Sequence, residues 1–237
     1  MSEFWEEQLS PGYYDKITIE GINKNRGISA TWHNYTNLKV KSNISKLGKH
    51  LDYACGPGTL IGMYLNSDSI GIDISQKQIE FANKKYSNKG EFFEINNFDL
   101  TRYNGEFKTI TILGLLEFIN EDEIIALLDR LYLLLEPRGQ IILTTPNFQI
   151  STTLLIAIQN LFGDYTYQES HISKFSRKKL LKVLEKTKFN NYEVTKYMNF
   201  AVSIGVINLK LATKVQEILD KLFSRYFGYM LFIKLKK

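Results

Sequence analysis

The feature that most constrains this chain is an alternation. Short apolar runs at His50–Ala54, Ser69–Asp73, Phe92–Ile95, Phe107–Leu113 and Gln140–Thr145 are separated by turns or by stretches with helical apolar spacing. Such an order reads as βα units joined into a parallel sheet. Between Glu121 and Leu135 the apolar positions Ile124, Ile125, Leu128, Leu131, Leu134 and Leu135 follow a helical period. Ser75 and Gln78 have capping-box spacing and open a helix to about Tyr86. Thr31 to Ile44 reads as a helix leading into the first strand.

Past Pro146 the pattern changes. Ser151–Phe162 reads as an apolar helix, Gly163–Phe175 as a polar, aromatic loop, and Ser176 caps an amphipathic helix carrying Leu180, Leu181, Val183 and Leu184. Asn191–Tyr197 and Gly228–Leu235 are the sixth and seventh strands. The stretch between them, Met198–Phe227, is too long for a simple connection and predicts a helical insertion. The expected architecture is a doubly wound α/β sheet in a single domain. Residues 1–47 form an N-terminal helical lid, 48–197 the core, 198–227 the insertion, and 228–237 the last strand with a basic tail.

Composition supports one globular unit. The 237 residues are 44% hydrophobic and 23% charged, which excludes disorder and fibre. Cys55 is the only cysteine, so no internal disulfide forms, as in a reducing compartment. No stretch reaches the roughly 18 consecutive apolar residues of a spanning helix. The acidic, aromatic start Met1–Glu7 is unlike a secretion signal, so a cytoplasmic, soluble protein is expected. There is no internal repeat and no Pro-rich linker. The net charge of +5 lies in Asn208–Lys237, where seven basic residues face Glu217 and Asp220; the remainder is balanced.

The first strand ends in Cys55-Gly56-Pro57-Gly58 and the chain restarts as a helix at about Thr59. Glycines there permit positive φ and let a ligand approach the backbone. A helix start beyond them would present free N–H groups to its anionic parts. Asp73, fifteen residues after Gly58, stands at the end of the second strand, where a carboxylate can accept both hydroxyls of an adenosine ribose.

The residues around these positions carry a resemblance. Leu51-Asp52-Tyr53-Ala54-Cys55-Gly56-Pro57-Gly58-Thr59 resembles the first motif of class I S-adenosylmethionine-dependent methyltransferases, and Gly71-Ile72-Asp73-Ile74-Ser75 the second. Leu113–Ile119 resembles the segment after strand four, with Phe118 where that family usually has His. Leu134–Asn147 and His171–Phe175, with Leu180, Leu181 and Phe189, resemble the group that includes ubiquinone-pathway O-methyltransferases. The resemblance covers about Lys49–Asn191 and implies a Rossmann-like, seven-stranded, mostly parallel sheet with S-adenosyl-L-methionine as cofactor. It implies that Asp52, Ala54, Gly56, Pro57 and Gly58 face the methionine part, and that Asp73 and Ile74 face the ribose side. Asn96 and Asn97 would lie beside adenine, Leu113 would meet the amino group, and His33 would cap the methionine end. A nicotinamide dehydrogenase also uses a glycine loop and a distant acid, but leaves Glu136–Asn147 unexplained.

Methyl transfer needs an aligned acceptor, and a base where the acceptor must lose a proton. His171, in the loop after strand five, is the candidate base, beside the reading that it only hydrogen-bonds its loop. Glu117 is a second candidate, with a structural or substrate-orienting role as its other reading. No Cys/His cluster has metal-ligand spacing, so no metal is expected. Cys55 belongs to the cofactor loop, and no Pro-Pro-aromatic element follows strand four, which disfavours methylation of DNA bases. The expected activity is O-methylation of a small, lipid-linked or glycan-linked metabolite. RNA methylation and a non-catalytic cofactor-binding subunit are the alternatives; no aromatic-basic RNA signature accompanies the lysines. For Ala201–Phe227 the first reading is a helix packing its apolar positions on the core. The second is a peripheral membrane contact through the basic C-terminal segment.

Overall fold

The computed structural model describes residues 9–65, 68–148 and 171–237. The expected helix at Ser151–Phe162 lies outside them. Seven strands form one sheet: β1 (Lys49–Tyr53), β2 (Ser69–Asp73), β3 (Glu91–Glu94), β4 (Phe107–Leu113), β5 (Leu135–Pro146), β6 (Asn191–Tyr197) and β7 (Met230–Lys236). Their order is β3-β2-β1-β4-β5-β7-β6. β7 runs antiparallel between β5 and β6, and the other neighbours are parallel. Every residue of β2 is buried, as a central strand covered on both faces requires.

Among the described residues six α-helices accompany the sheet: α1 (Tyr13–Lys24), α2 (Ile28–Lys41), α3 (Gln76–Tyr86), α4 (Glu121–Leu134), α5 (Arg177–Leu184) and α6 (Leu209–Phe223). One apolar layer joins Ile124, Leu128 and Leu131 of α4 to Leu180 and Leu184 of α5 and the sheet face beneath. The opposite layer joins Tyr35 and Val40 of α2 to Ile79 and Ala82 of α3, with Tyr197, Met198 and Val202. The strand order reverses direction between β1 and β4, and the crevice at the carboxyl ends of these strands is where such sheets take ligands.

Several local expectations change. The helix expected from Thr59 is one π-helical turn, Leu60–Tyr64. Glu136–Gly139, read as a turn, belongs to β5, whose register against β4 shifts there. Ser75 begins α3 without a side-chain cap, and the Gln78 side chain that would complete a capping box bonds elsewhere: its Oε1 accepts from the Gly12 amide at 2.9 Å and its Nε2 donates to Ser10 O at 3.2 Å. The capping box that does form is Asn120 with Glu123, at the start of α4. The basic tail is no tail, since β7 is an interior strand and Lys237 Nζ donates to the carbonyls of Tyr132 and Leu135.

The insertion contains a 3-10 stretch, Phe200–Val206, and α6. Its apolar face is not in the core. The buried positions of α6 are Leu209, Ala212, Thr213, Gln216 and Asp220. Polar bonds hold that face down. Asp220 Oδ2 accepts from Tyr35 OH at 2.8 Å and Oδ1 from Asn199 Nδ2 at 3.3 Å, while Gln216 Oε1 accepts from the Asn199 amide at 3.1 Å.

Asp15 attaches the N-terminal helices to the core. Its fully buried carboxylate accepts from Thr59 Oγ1 at 3.1 Å and Tyr86 OH at 2.6 Å, and pairs with Lys85. Asp15→Ala removes the acceptor shared by three donors, two of them hydroxyls in the interior. We expect a loss of about 2–3 kcal/mol in urea unfolding. A change within about 0.5 kcal/mol, typical of surface substitutions, would show that Asp15 does not join these elements.

Candidate active site

A cavity of about 420 Å³ opens where the carboxyl ends of β1, β2, β4 and β5 meet α1 and α2. β1 is followed by Ala54 at φ +61, then by Gly56 at φ +53 and Gly58 at φ +72. A Cβ at Gly56 would meet no protein atom within 4 Å, although the loop forms the cavity wall. The room beside Gly56 is therefore not taken up by the protein's own packing. Gly58 differs: its Cβ would come within 2.6 Å of the Phe92 ring, and it is not in the cavity wall. Its smallness seats the loop on β3.

Asp73 Oδ2 accepts from the Gly56 amide at 2.7 Å and Oδ1 from the Ser75 amide at 2.9 Å. The carboxylate thus fixes the glycine loop while facing the cavity. Asp52 is buried in the register position opposite Thr111 of β4, whose hydroxyl donates to its Oδ1 at 2.6 Å. Burial pushes the Asp52 carboxyl up to about 7; the Thr111 bond opposes that and the nearby Asp73 charge adds to it. Behind Thr111 stands His50, with Nε2 2.9 Å from Thr111 Oγ1 and Nδ1 3.1 Å from Ser69 Oγ. With Asp52 ionised, Thr111 spends its proton on the carboxylate, so His50 Nε2–H donates to Thr111 and Nδ1 accepts from Ser69. Burial holds His50 neutral, with a pKa of about 3.

Across the sheet reversal lie Glu117 and His171. Glu117 is buried, its Oε2 accepts from Thr145 Oγ1 of β5 at 2.9 Å, and burial raises its carboxyl to about 7. Its carbonyl accepts from the amides of Ile172 at 2.9 Å and Ser173 at 3.0 Å, tying the His171 segment to the end of β4. His171 is half-buried, with ring centroids 5.2 Å from Phe118 and 5.4 Å from Phe148. Desolvation, then the charge of Lys174, lowers its pKa, so the imidazole is neutral at neutral pH. Phe118 fills the position beside Glu117 with an aromatic wall.

Of the residues singled out in the sequence, Asp52, Ala54, Gly56, Pro57, Asp73, Ile74, Leu113, Glu117, His33 and His171 line this one cavity. His33 lies on α2 against Tyr14, with ring centroids 5.0 Å apart, and burial lowers its pKa to about 4. Asn96 and Asn97 are exposed beyond β3, donate to the Glu94 carboxylate at 2.7 and 2.6 Å, and are not in the wall. The helical lid expected over 1–47 contains α1, but sequence reasoning did not name its Tyr13, Tyr14 and Ile17 as wall residues, nor Trp32 on α2. It also missed Met230 at the start of β7. Among the described residues, no group of His, Cys, Asp and Glu has the geometry to hold a metal ion.

This sheet order, with a glycine loop after β1 and an acid at the end of β2, defines a class I S-adenosylmethionine-dependent methyltransferase. A family model for the methyltransferase domain matches residues 31–194, well over half of the chain, and the chain belongs to that family. No curated protein sequence matches it. Among solved structures it is similar to a SAM-dependent methyltransferase from Archaeoglobus fulgidus. The identity there is 18%, over 87% of this chain and 94% of that one, with a TM-score of 0.59. It is also similar to a magnesium protoporphyrin IX methyltransferase from Synechocystis, solved with bound SAH. In that case the identity is 19%, over 89% of this chain and 83% of that one, with a TM-score of 0.54. The cofactor is S-adenosyl-L-methionine. The open room at Gly56, bounded by Asp52 and Asp73, fits its methionine and ribose parts.

Proposed function

We propose that the chain O-methylates a small, lipid-linked or glycan-linked acceptor that is neutral or cationic where it enters the site. The observation that carries this is the charge of the cavity wall. Asp73 lines it together with Asp52 and Glu117, whose carboxyls burial raises to about 7, and no Lys or Arg does among the described residues. The stretches 1–8, 66–67 and 149–170 contain no Lys or Arg either, so none of them can supply a cationic side chain. A phosphate or carboxylate entering this wall would lose its hydration without a cationic side chain to replace it. The same charge pattern argues against a polyanionic RNA substrate, whose binding rests on Lys and Arg contacts. Tyr13, Tyr14, Trp32, Phe118 and Met230 give the rest of the wall an apolar and aromatic character suited to an uncharged acceptor.

S-adenosylmethionine supplies an electrophilic methyl group on a sulfonium, which leaves as a neutral thioether. The chain's own part is to hold and deprotonate. In this reading Asp73 accepts the ribose hydroxyls while keeping Gly56 in place, and Asp52 offers its carboxylate to the amino end. His171, neutral in its aromatic setting, takes the proton from the acceptor hydroxyl. Glu117 orients the His171 segment through its carbonyl and does not itself need to react.

His171→Ala is expected to leave cofactor affinity unchanged while turnover falls by roughly 10²–10⁴-fold, the usual contribution of a general base. The test is a panel of neutral, amine-bearing and carboxylate-bearing hydroxyl compounds, scored by methyl transfer alongside cofactor titration. Preferred turnover of the carboxylate-bearing members would overturn the charge argument. Equal loss of cofactor affinity in His171→Ala would remove His171 from the acceptor side.

A further inference from the structure

α6 turns the usual arrangement of an amphipathic helix inside out. Its inward face is built from Leu209, Ala212, Thr213, Gln216 and Asp220. The outward face carries Leu211, Ile218 and Leu222, which are 51%, 58% and 63% exposed. These positions lie on one stripe at helical spacing, and Val215 sits between them. The stripe continues at both ends of the helix, through Val206 and Ile207 before it and Tyr226 after it, with Ile207 83% exposed.

One flank of the stripe is a row of lysines. Lys210, Lys214 and Lys221 recur at helical spacing beside Leu211 and Ile218, and all three are exposed. Arg225 extends the row, and Glu217 is the only exposed acid on the helix, since Asp220 points inward to Tyr35 and Asn199. At 15 residues α6 is about 22 Å long with one polar face, so it can lie along a membrane and cannot cross one. No helix among the described residues is long and apolar enough to span a bilayer.

We propose that the outward face of α6 docks on an anionic lipid surface, with Leu211, Ile218, Leu222 and Ile207 entering the acyl boundary and Lys210, Lys214 and Lys221 meeting the headgroups. Charge complementarity selects this occupant. An apolar stripe edged by cations matches a surface that is apolar below and negative above, and its affinity rises with both terms. Antiparallel pairing of two copies through the stripe would instead set one lysine row against the other. None of these residues lines the catalytic cavity, so the inference stands apart from the acceptor assignment.

The test is flotation of the full chain with phosphatidylcholine vesicles, with and without phosphatidylserine. The chain is expected to float with the phosphatidylserine vesicles. The triple variant Leu211→Glu, Ile218→Glu, Leu222→Glu should stay in the bottom fraction. Lys210→Glu, Lys214→Glu, Lys221→Glu should lose roughly tenfold or more in partition. Both variants should bind S-adenosylmethionine as the parent does, which separates lost docking from a lost fold or a misread site. Parent protein that does not float overturns the proposal. So does sedimentation showing a dimer that the glutamate variants abolish, because the stripe would then belong to a second copy.

Discussion

Asp73→Ala is expected to abolish measurable S-adenosylmethionine binding while the chain remains folded. The carboxylate acts twice. It accepts from the Gly56 and Ser75 amides at 2.7 and 2.9 Å, which fixes the loop after β1, and it faces the cavity where the ribose hydroxyls would reach it. Hydrogen bonds to a charged acceptor contribute about 1.5–3 kcal/mol each, so losing two costs roughly 10²–10⁴-fold in affinity before any loop movement. Asp73→Asn keeps one acceptor oxygen and should fall between parent and alanine variant. Calorimetric titration of the three proteins orders them. Full affinity in Asp73→Ala would mean that the ribose lies elsewhere.

The second large effect concerns Glu117 and pH. Burial raises its carboxyl from 4.5 to about 7 in the folded chain. The unfolded chain releases this proton near the ordinary value, whereas the folded chain keeps it. The stability that the protonated group gives is present below pH 4.5, declines as pH rises, and is gone above about 7. Glu117→Gln mimics the protonated form at every pH and can still accept from Thr145. Relative to the parent, the variant should therefore gain up to about 3 kcal/mol between pH 5 and pH 8. The comparison is needed because the half-buried His33 and the buried His50, both with lowered pKa, pull the parent's own stability the opposite way on acidification. Their effect is common to both proteins. Urea unfolding at a series of pH values reads the difference. A flat difference would mean that Glu117 is ionised throughout, held by a partner other than Thr145.

The strand sequence, the glycine loop and the acid after it were legible because each is a local pattern. Apolar runs mark β1, β2 and β4, and Asp52 and Asp73 follow from their places at strand ends. Gly58 was harder. Sequence shows that a glycine stands there, but only the approach of Phe92 from β3 shows that no side chain fits at it. Within the expected helical lid the bounds of α1 were not readable, because its inward side is Asp15, Thr18 and Gly21, held by hydrogen bonds and close approach, and leaves no apolar period to read. The capping box at Ser75 failed because Gln78 found a tertiary partner in Gly12, an interaction 66 residues away. α6 shows the limit most plainly. Its apolar periodicity is real, yet periodicity states only that one face is apolar. Asp220, Gln216, Tyr35 and Asn199 decide which face turns inward.

The measurement that bears most directly on the whole account is calorimetric titration of the purified chain with S-adenosylmethionine and, separately, with NADPH. One-to-one binding of S-adenosylmethionine in the micromolar range, with no heat from NADPH, is the expected result. Binding of NADPH alone, or of neither compound, would contradict the assignment of the glycine loop, Asp52 and Asp73 to a methyl donor.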